Sequence, residues 1–322
     1  MHQPRRRAPL RRALSSFAAA CAVLLAAPQA APAQTVEGVN PCDFSGFDTP
    51  CKVFNGEYRA WKPKGEGPFP ALVYLYGSGG RADRQYRSDL FRKSVTDRGF
   101  VLIVPEALPV VNYITGRDTG WSRAARADSH PRDDIAFLKA VLDHAQDRFR
   151  IDRRRVLFAG QSDGGYLIWE IACHHPNMAA AFAVHAGSYG GEVPERCRAP
   201  VRFMQAHGRG DGIVPFEAEN IWMGRKVGAD PLDGLAALAA TNGCDARADA
   251  VHHIGFQRSV WLGCRRGAAL EYWVHEGGHF YPPRWLPLTL DWFGTFDLGR
   301  PAVGQRNVRR VGHGLPGGGA GG

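Results

Sequence analysis

Arg155-Val156-Leu157-Phe158-Ala159-Gly160-Gln161-Ser162-Asp163-Gly164-Gly165 decides how this 322-residue chain is read. An apolar run stops at a glycine, presents a serine, and continues through two more glycines into Tyr166-Leu167-Ile168-Trp169-Glu170-Ile171-Ala172. The pattern predicts a strand that turns sharply into a helix with a serine at the apex. Gly160 and Gly164 flank Ser162 in the order G-x-S-x-G, where backbones pass too closely to admit a Cβ. A serine held there exposes its Oγ, and the amide of Asp163, at the helix N-terminus, can face an oxyanion. Gly-x-Ser-x-Gly also occurs in surface loops of glycine-rich chains, so the flanking strand and helix give it its meaning.

An acid and a histidine follow. The apolar run Pro200–Ala206 leads into His207-Gly208-Arg209-Gly210-Asp211-Gly212-Ile213-Val214-Pro215, which puts Asp211 in a loop beyond a strand. A second run, Leu270–Val274, leads into His275-Glu276-Gly277-Gly278-His279-Phe280-Tyr281-Pro282 and places His279 likewise. Open α/β sheets carry ligands and catalytic groups at that carboxyl edge. Ser162, Asp211, His279 is also the chain order of α/β-hydrolase triads. Serine needs a base because its hydroxyl is a poor nucleophile at neutral pH; imidazole takes the proton, and a carboxylate fixes the imidazole tautomer. Singly, an Asp in a glycine loop is usually a turn residue, and most histidines are packed or solvated. The agreement of three loops in position and order carries the reading. Glu217 and Asp230 are fallback acids, and His275 is the fallback base.

His275-Glu276-Gly277-Gly278-His279 also matches H-E-x-x-H, a zinc signature that needs both histidines on one face of a helix. Here β-formers (Tyr272, Trp273, Val274) precede it, and two consecutive glycines oppose a helix by about 1 kcal/mol each. Downstream, only Asp291 and Asp297 remain as acidic third ligands. The reading is therefore serine chemistry, with no metal. The second oxyanion donor is expected from the loop after Phe69–Tyr76, where Gly77-Ser78-Gly79-Gly80 offers backbone amides, that of Ser78 foremost. A phosphate cradle would need a Gly-Lys-Ser/Thr ending or G-x-G-x-x-G, and neither is present.

The N-terminus reads as an export signal over residues 1–33. Arg5–Arg7, Arg11 and Arg12 precede the apolar stretch Ala13–Ala27, and Ala31-Pro32-Ala33 offers a cleavage site. That stretch is too short and too Ala-rich to span a membrane, so a secreted or periplasmic protein is expected. The formal net charge of +9 lies outside the domain. Residues 1–33 hold five arginines, residues 300–322 hold four, and neither segment holds an acid; 34–299 keeps 31 basic and 31 acidic groups. A nucleic-acid partner thus has no electrostatic support. Cys42, Cys51, Cys173, Cys197, Cys244 and Cys264 remain after the signal, an even number that reads as disulfides in an exported chain. Nearest-neighbour pairing, each bond stapling a local loop, is the expected connectivity. Strand-like and helix-like segments alternate from about Tyr58 to Phe296, which predicts one domain (34–299) with a mostly parallel sheet and helices on both faces. The Gly/Arg-rich run 300–322 reads as a disordered tail.

Taken together, these residues resemble secreted esterases related to polyhydroxybutyrate depolymerases, a group that includes some feruloyl and acetyl-xylan esterases. The resemblance rests on Gly56-Glu57-Tyr58-Arg59, Asp133–Leu138, Ile151–Val156, Gly160–Gly165, Asp211-Gly212-Ile213-Val214-Pro215, Asn242-Gly243-Cys244 and Gly277–Pro282. It implies an α/β-hydrolase fold, the triad Ser162, Asp211 and His279, no cofactor, and an oligomeric or polymeric ester substrate. Two positions depart from that pattern. Tyr76-Gly77 stands where relatives usually carry His-Gly, which bears on the shape of the acyl pocket. Asp163 stands where many carry Asn, and is expected to cap the helix that follows. Trp121, in an irregular segment from Leu108 to His130, and Tyr76 are candidate substrate-wall residues. A non-catalytic binding protein, a serine peptidase and a zinc hydrolase remain as other readings.

Overall fold

The computed structural model describes residues 42, 50–112, 116–122, 130–222, 224–247, 251–296 and 298; the expected signal segment and the expected tail lie outside them. Strands β1 (Cys51–Val53), β2 (Gly56–Trp61) and β3 (Phe69–Leu75) come first, then helices α1 (Ala82–Arg87) and α2 (Asp89–Thr96) and strand β4 (Val101–Pro105). A hairpin of β5 (Leu108–Asn112) and β6 (Gly116–Gly120) follows, so the segment expected to be irregular is partly regular. Next come α3 (Asp134–Phe149), β7 (Ile151–Gln161), α4 (Asp163–His174), β8 (Ala181–His185) and β9 (Arg202–Gly208). A second hairpin, β10 (Asn220–Trp222) and β11 (Arg225–Gly228), precedes α5 (Pro231–Asn242). The chain continues through β12 (Ala246–Arg247), β13 (Val251–His253), β14 (Phe256–Leu262), β15 (Ala269–His275) and α6 (Trp285–Gly294).

Local chemistry sets the helix ends. Asp133 caps α3 by accepting from the amides of Ile135 and Ala136, and Arg150 closes it in the left-handed region at φ 55°. Between those ends Phe137, Leu138, Val141, Leu142, Ala145 and Phe149 recur at helical spacing and are buried. Asp230, a fallback acid in the sequence, caps α5 instead: its carboxylate accepts from Leu232 N at 2.8 Å, with Pro231 in the first turn.

The main sheet runs β1-β2-β4-β3-β7-β8-β9-β15-β14-β12, with β13 also on β14. Its centre, from β4 to β15, is parallel; β1, β2, β12, β13 and β14 are antiparallel additions at the edges. Strands β4 and β8 are buried at every residue, which explains why they read as unbroken apolar runs rather than alternating ones. From β3 the chain first steps to β4 on one side, then crosses to β7 on the other. The order reverses at β3, and open α/β sheets generally place ligands beyond the carboxyl ends of the two strands at such a point, here β3 and β7. Among the described residues no helix is long and apolar enough to cross a membrane.

The disulfides pair nearest neighbours, as expected: Cys42–Cys51, Cys173–Cys197 and Cys244–Cys264. The second ties the last turn of α4 to the loop before β9 across 24 positions. Replacing both Cys173 and Cys197 by Ser should lower the unfolding free energy by about 3.5 kcal/mol, the loop-closure value for that length. Urea unfolding of the double variant checks this.

Candidate active site

Ser162 sits between β7 and α4 at φ 53°, ψ −121°, a conformation that a non-glycine residue adopts only when its surroundings impose it. The surroundings are specific. Its amide donates to His185 O at 3.0 Å, and its carbonyl accepts from Tyr166 N at 2.9 Å. On either side the end of β3 passes within contact of the turn. A Cβ on Gly160 would lie 2.5 Å from Leu75 O, one on Gly164 2.2 Å from the same oxygen, and one on Gly77 3.0 Å from the Ser162 Cβ. The G-x-S-x-G spacing is thus a record of two backbones in contact.

The loop beyond β3 is gripped by residues 119–121. Gly79 N donates to Thr119 O at 3.1 Å, Thr119 Oγ1 donates to Gly80 O at 2.6 Å, and Gly80 N returns to Gly77 O. The amide of Ser78 has no partner among the described residues, and Ser78 is exposed. Trp121 and Tyr76, expected at a substrate wall, are interior instead. The Trp121 indole N–H donates to Tyr76 O at 2.8 Å; the Tyr76 hydroxyl donates to Glu106 at 3.0 Å and accepts from Ala107 N at 2.7 Å. Each polar tip is satisfied inside, so neither ring is free to turn outward. Burial, with the Glu106 carboxylate beside it, pushes the Tyr76 phenol far above its usual range and keeps it protonated. The expectation for Asp163 also changes. Ser162 occupies the cap position, Asp163 is the first residue of α4, and its Oδ2 accepts from the Trp121 amide at 2.9 Å.

The acid and the histidine meet because β9 and β15 are parallel neighbours in register, His275 opposite Gly208. Beyond the strands, Arg209 N donates to His275 O at 2.9 Å and Gly210 N to Gly277 O at 3.0 Å. A Cβ on Gly208 would lie 2.3 Å from Gly278 O, so this approach needs glycine. His279 Nδ1 is 2.9 Å from Asp211 Oδ2 and 3.1 Å from Oδ1. Asp211 also accepts from the amides of Ile213 and Val214, and His207 Nε2 approaches at 3.4 Å. Burial alone would raise the Asp211 pKa, but hydrogen bonds from His207, His279 and the two amides outweigh it and hold the carboxyl well below its usual range. Gln161, next to Ser162, donates to His279 O at 2.8 Å and sets the histidine loop beside the serine turn. Among the described residues no hydrogen bond joins the Ser162 hydroxyl to the His279 ring.

The fallback groups lie elsewhere. His275 ends β15, and residues 276–284 contain no helix, so the two histidines of H-E-x-x-H do not share a helix face. The His275 ring accepts from Gly277 N at 3.0 Å and meets His185 Nε2 at 2.9 Å. Glu217 stands in the turns after Val214, and the His279 ring bonds to Asp211. Sequence reasoning passed over His185, His207 and Gln205, all fully buried at the ends of β8 and β9. The His207-Gly208 step in the quoted loop was the available signal.

No known family model matches the chain. "Putative esterase NocK" of Nocardia uniformis subsp. tsuyamanensis is 26% identical over 277 residues, 83% of this chain and 73% of that protein. Feruloyl esterase D of Neurospora crassa is 26% identical over 192 residues, 57% of this chain and 55% of that protein. The chain thus spans only about half of that fungal relative. Among solved structures, an acetyl xylan esterase from Aspergillus awamori superposes with a TM-score of 0.54 at 14% identity, over 74% of this chain and 94% of that one. An S-formylglutathione hydrolase from Agrobacterium tumefaciens gives 0.51 at 14% identity, over 77% and 98%. These likenesses, with the sheet order, identify the α/β-hydrolase fold.

Gly164→Ala should destabilise the protein by about 3 kcal/mol, the upper end for forced overpacking, because backbone and not a flexible side chain blocks the new methyl. Gly212→Ala, with open space around it, is the control in the same denaturation assay. A second expectation concerns pH. Burial depresses the pKa of His185 well below 6.5, with His275 and His207 adding to it, and burial lowers His275 as well. The unfolded chain therefore binds more protons below the ordinary imidazole range. Stability should be fully present above it and fall as pH drops, by up to about 1 kcal/mol per unit from His185. Unfolding curves between neutral and mildly acidic pH check this, and His185→Asn should flatten the dependence.

Proposed function

We propose that the chain is a carboxylic ester hydrolase that works through an acyl-enzyme on Ser162. The observation that carries this reading is the Asp211–His279 pair, 2.9 Å apart and tied through Gln161 to the turn that holds Ser162 at a strained φ. Ser162 Oγ attacks the ester carbon as its proton passes to His279 Nε2. The Nδ1–H of the same ring faces Asp211, whose ionised carboxylate stabilises the imidazolium. The amides of Asp163 and Ser78 receive the developing oxyanion. The carbon–alkoxide bond then breaks, His279 returns the proton to the departing alcohol, and water repeats the sequence on the acyl-enzyme.

The esterase names among the relatives support this class, and the loops support a partly apolar substrate. Ile213 and Phe280, beside Asp211 and His279, are 61% and 78% exposed, which leaves large apolar groups at the rim of the site. With the sequence resemblance, this favours an exported esterase of the polyhydroxybutyrate depolymerase-like group, acting on 3-hydroxyacid oligomers or on acyl or feruloyl esters of polysaccharide. The three disulfides favour an oxidising compartment.

The test is hydrolysis of a p-nitrophenyl ester series by the wild-type protein and by Ser162→Ala. Ser162→Ala should lose about 10⁴-fold or more in kcat, and Asp211→Asn about 10⁴-fold, with the fold intact by circular dichroism. Asp211 stays ionised far below the usual carboxylate range, so its own protonation should not limit turnover at mildly acidic pH. Undiminished turnover by Ser162→Ala would refute the assignment.

A further inference from the structure

Asp211 is approached by two histidines, and the triad uses only one. We infer that His207 is a positioning residue for the acid, an inward extension of the triad whose tautomer is fixed by Gln205 and Trp169. The kinetic part of this rests on the esterase reading.

The geometry determines each proton in turn. Trp169 Nε1, on α4, can only donate, and it lies 3.0 Å from Gln205 Oε1. The other end of that amide, Nε2, lies 2.9 Å from Gly187 O, which can only accept. The Gln205 orientation is therefore settled from both ends. Its Nε2 also lies 3.3 Å from both Ala206 O and His207 Nδ1, so the second amide hydrogen is shared between them and the ring nitrogen, facing a donor, is the acceptor. The single proton of the neutral ring is left on Nε2, which faces Val214 O at 3.0 Å and Asp211 Oδ2 at 3.4 Å. Trp169, Gln205 and His207 are all buried, so water does not compete for these bonds. A histidine that merely fills core space would not need a tautomer set from two sides and aimed at the acid.

The consequence lies at the carboxylate. Oδ1 accepts the amides of Ile213 and Val214, both at 2.9 Å, and Oδ2 receives His279 and the shared His207 N–H. His207 thus fixes the rotation of the carboxylate and takes part of its charge. Without it, Asp211 would hold the His279 imidazolium more tightly and in a looser geometry. The other titratable groups around His207 are His185 on β8 and His275 on β15, both with depressed pKa values, then His279 beyond β15 and Glu276 on the exposed side.

The experiment has two arms. In the first, His207→Leu and His207→Gln are assayed for ester hydrolysis across pH beside wild type and Ser162→Ala. For His207→Leu the expected result is a fall in kcat of about tenfold with KM unchanged. Its acid limb should move up by roughly half a pH unit. Gln can place a donor near the Nε2 position, so His207→Gln should recover the wild-type limb. A folded His207→Leu protein with wild-type kcat and limb, or two variants equally impaired with no limb shift, overturns the proposal; loss of activity in Ser162→Ala keeps the esterase reading separate. The second arm needs neither substrate nor variant. The ¹⁵N imidazole shifts of the wild-type protein should show His207 as the Nε2–H tautomer, and an Nδ1–H tautomer overturns the proposal even if the Leu variant does not fold.

Discussion

The contact on which the site depends is that of the Leu75 carbonyl with the backbone of the serine turn. Strand β3 ends there, and Gly160 and Gly164 have no side chain because that oxygen occupies the space. Strands β3 and β7 are neighbours in the sheet, so their carboxyl ends are driven together by the same pairing that builds the core. The price is a serine in a left-handed conformation, offset by the bonds from His185 and Tyr166 that hold it there. The Gly77–Gly80 loop, Ser162 and the first turn of α4 are thereby held against one another.

The other half of the site is built in the same way from a second pair of strands. Parallel pairing of β9 with β15 brings His275 opposite Gly208, and two backbone bonds continue the pairing into the loops. Asp211 and His279 need no long-range side-chain search to meet. The buried polar groups behind them are paired with one another, from Trp169 through Gln205 and His207 to Asp211. Among the buried atoms without a partner is His185 Nδ1, the donor left over once its Nε2 accepts from His275; Tyr272 OH and Trp285 Nε1 are others.

Much of this was legible in the sequence because it is encoded locally. Glycines at 160 and 164 around a serine, apolar runs of strand length, and an acid and a histidine each beyond such a run are read from neighbouring residues. Side-chain direction was not legible, because it is set by residues far away in the chain. Trp121 looked like a pocket wall, but its indole is held by Tyr76, 45 positions earlier. Asp163 looked like a helix cap, but its carboxylate bonds to the Trp121 amide, 42 positions away. Asp230 looked like a spare acid, and only the start of α5 shows it to be the cap. The His207–Gln205 chain was invisible for a similar reason: alternate residues of a strand share a face, but which helix covers that face is a tertiary fact.

The register of β9 with β15 also has a consequence in time. The serine turn is complete once β3, β7, α4 and β8 are packed, using no residue beyond His185 for its backbone bonds. His279 arrives just after the last strand of the sheet in chain order, 117 positions after Ser162. A chain whose last strand has not yet paired therefore holds Ser162 without the Asp211–His279 pair beside it.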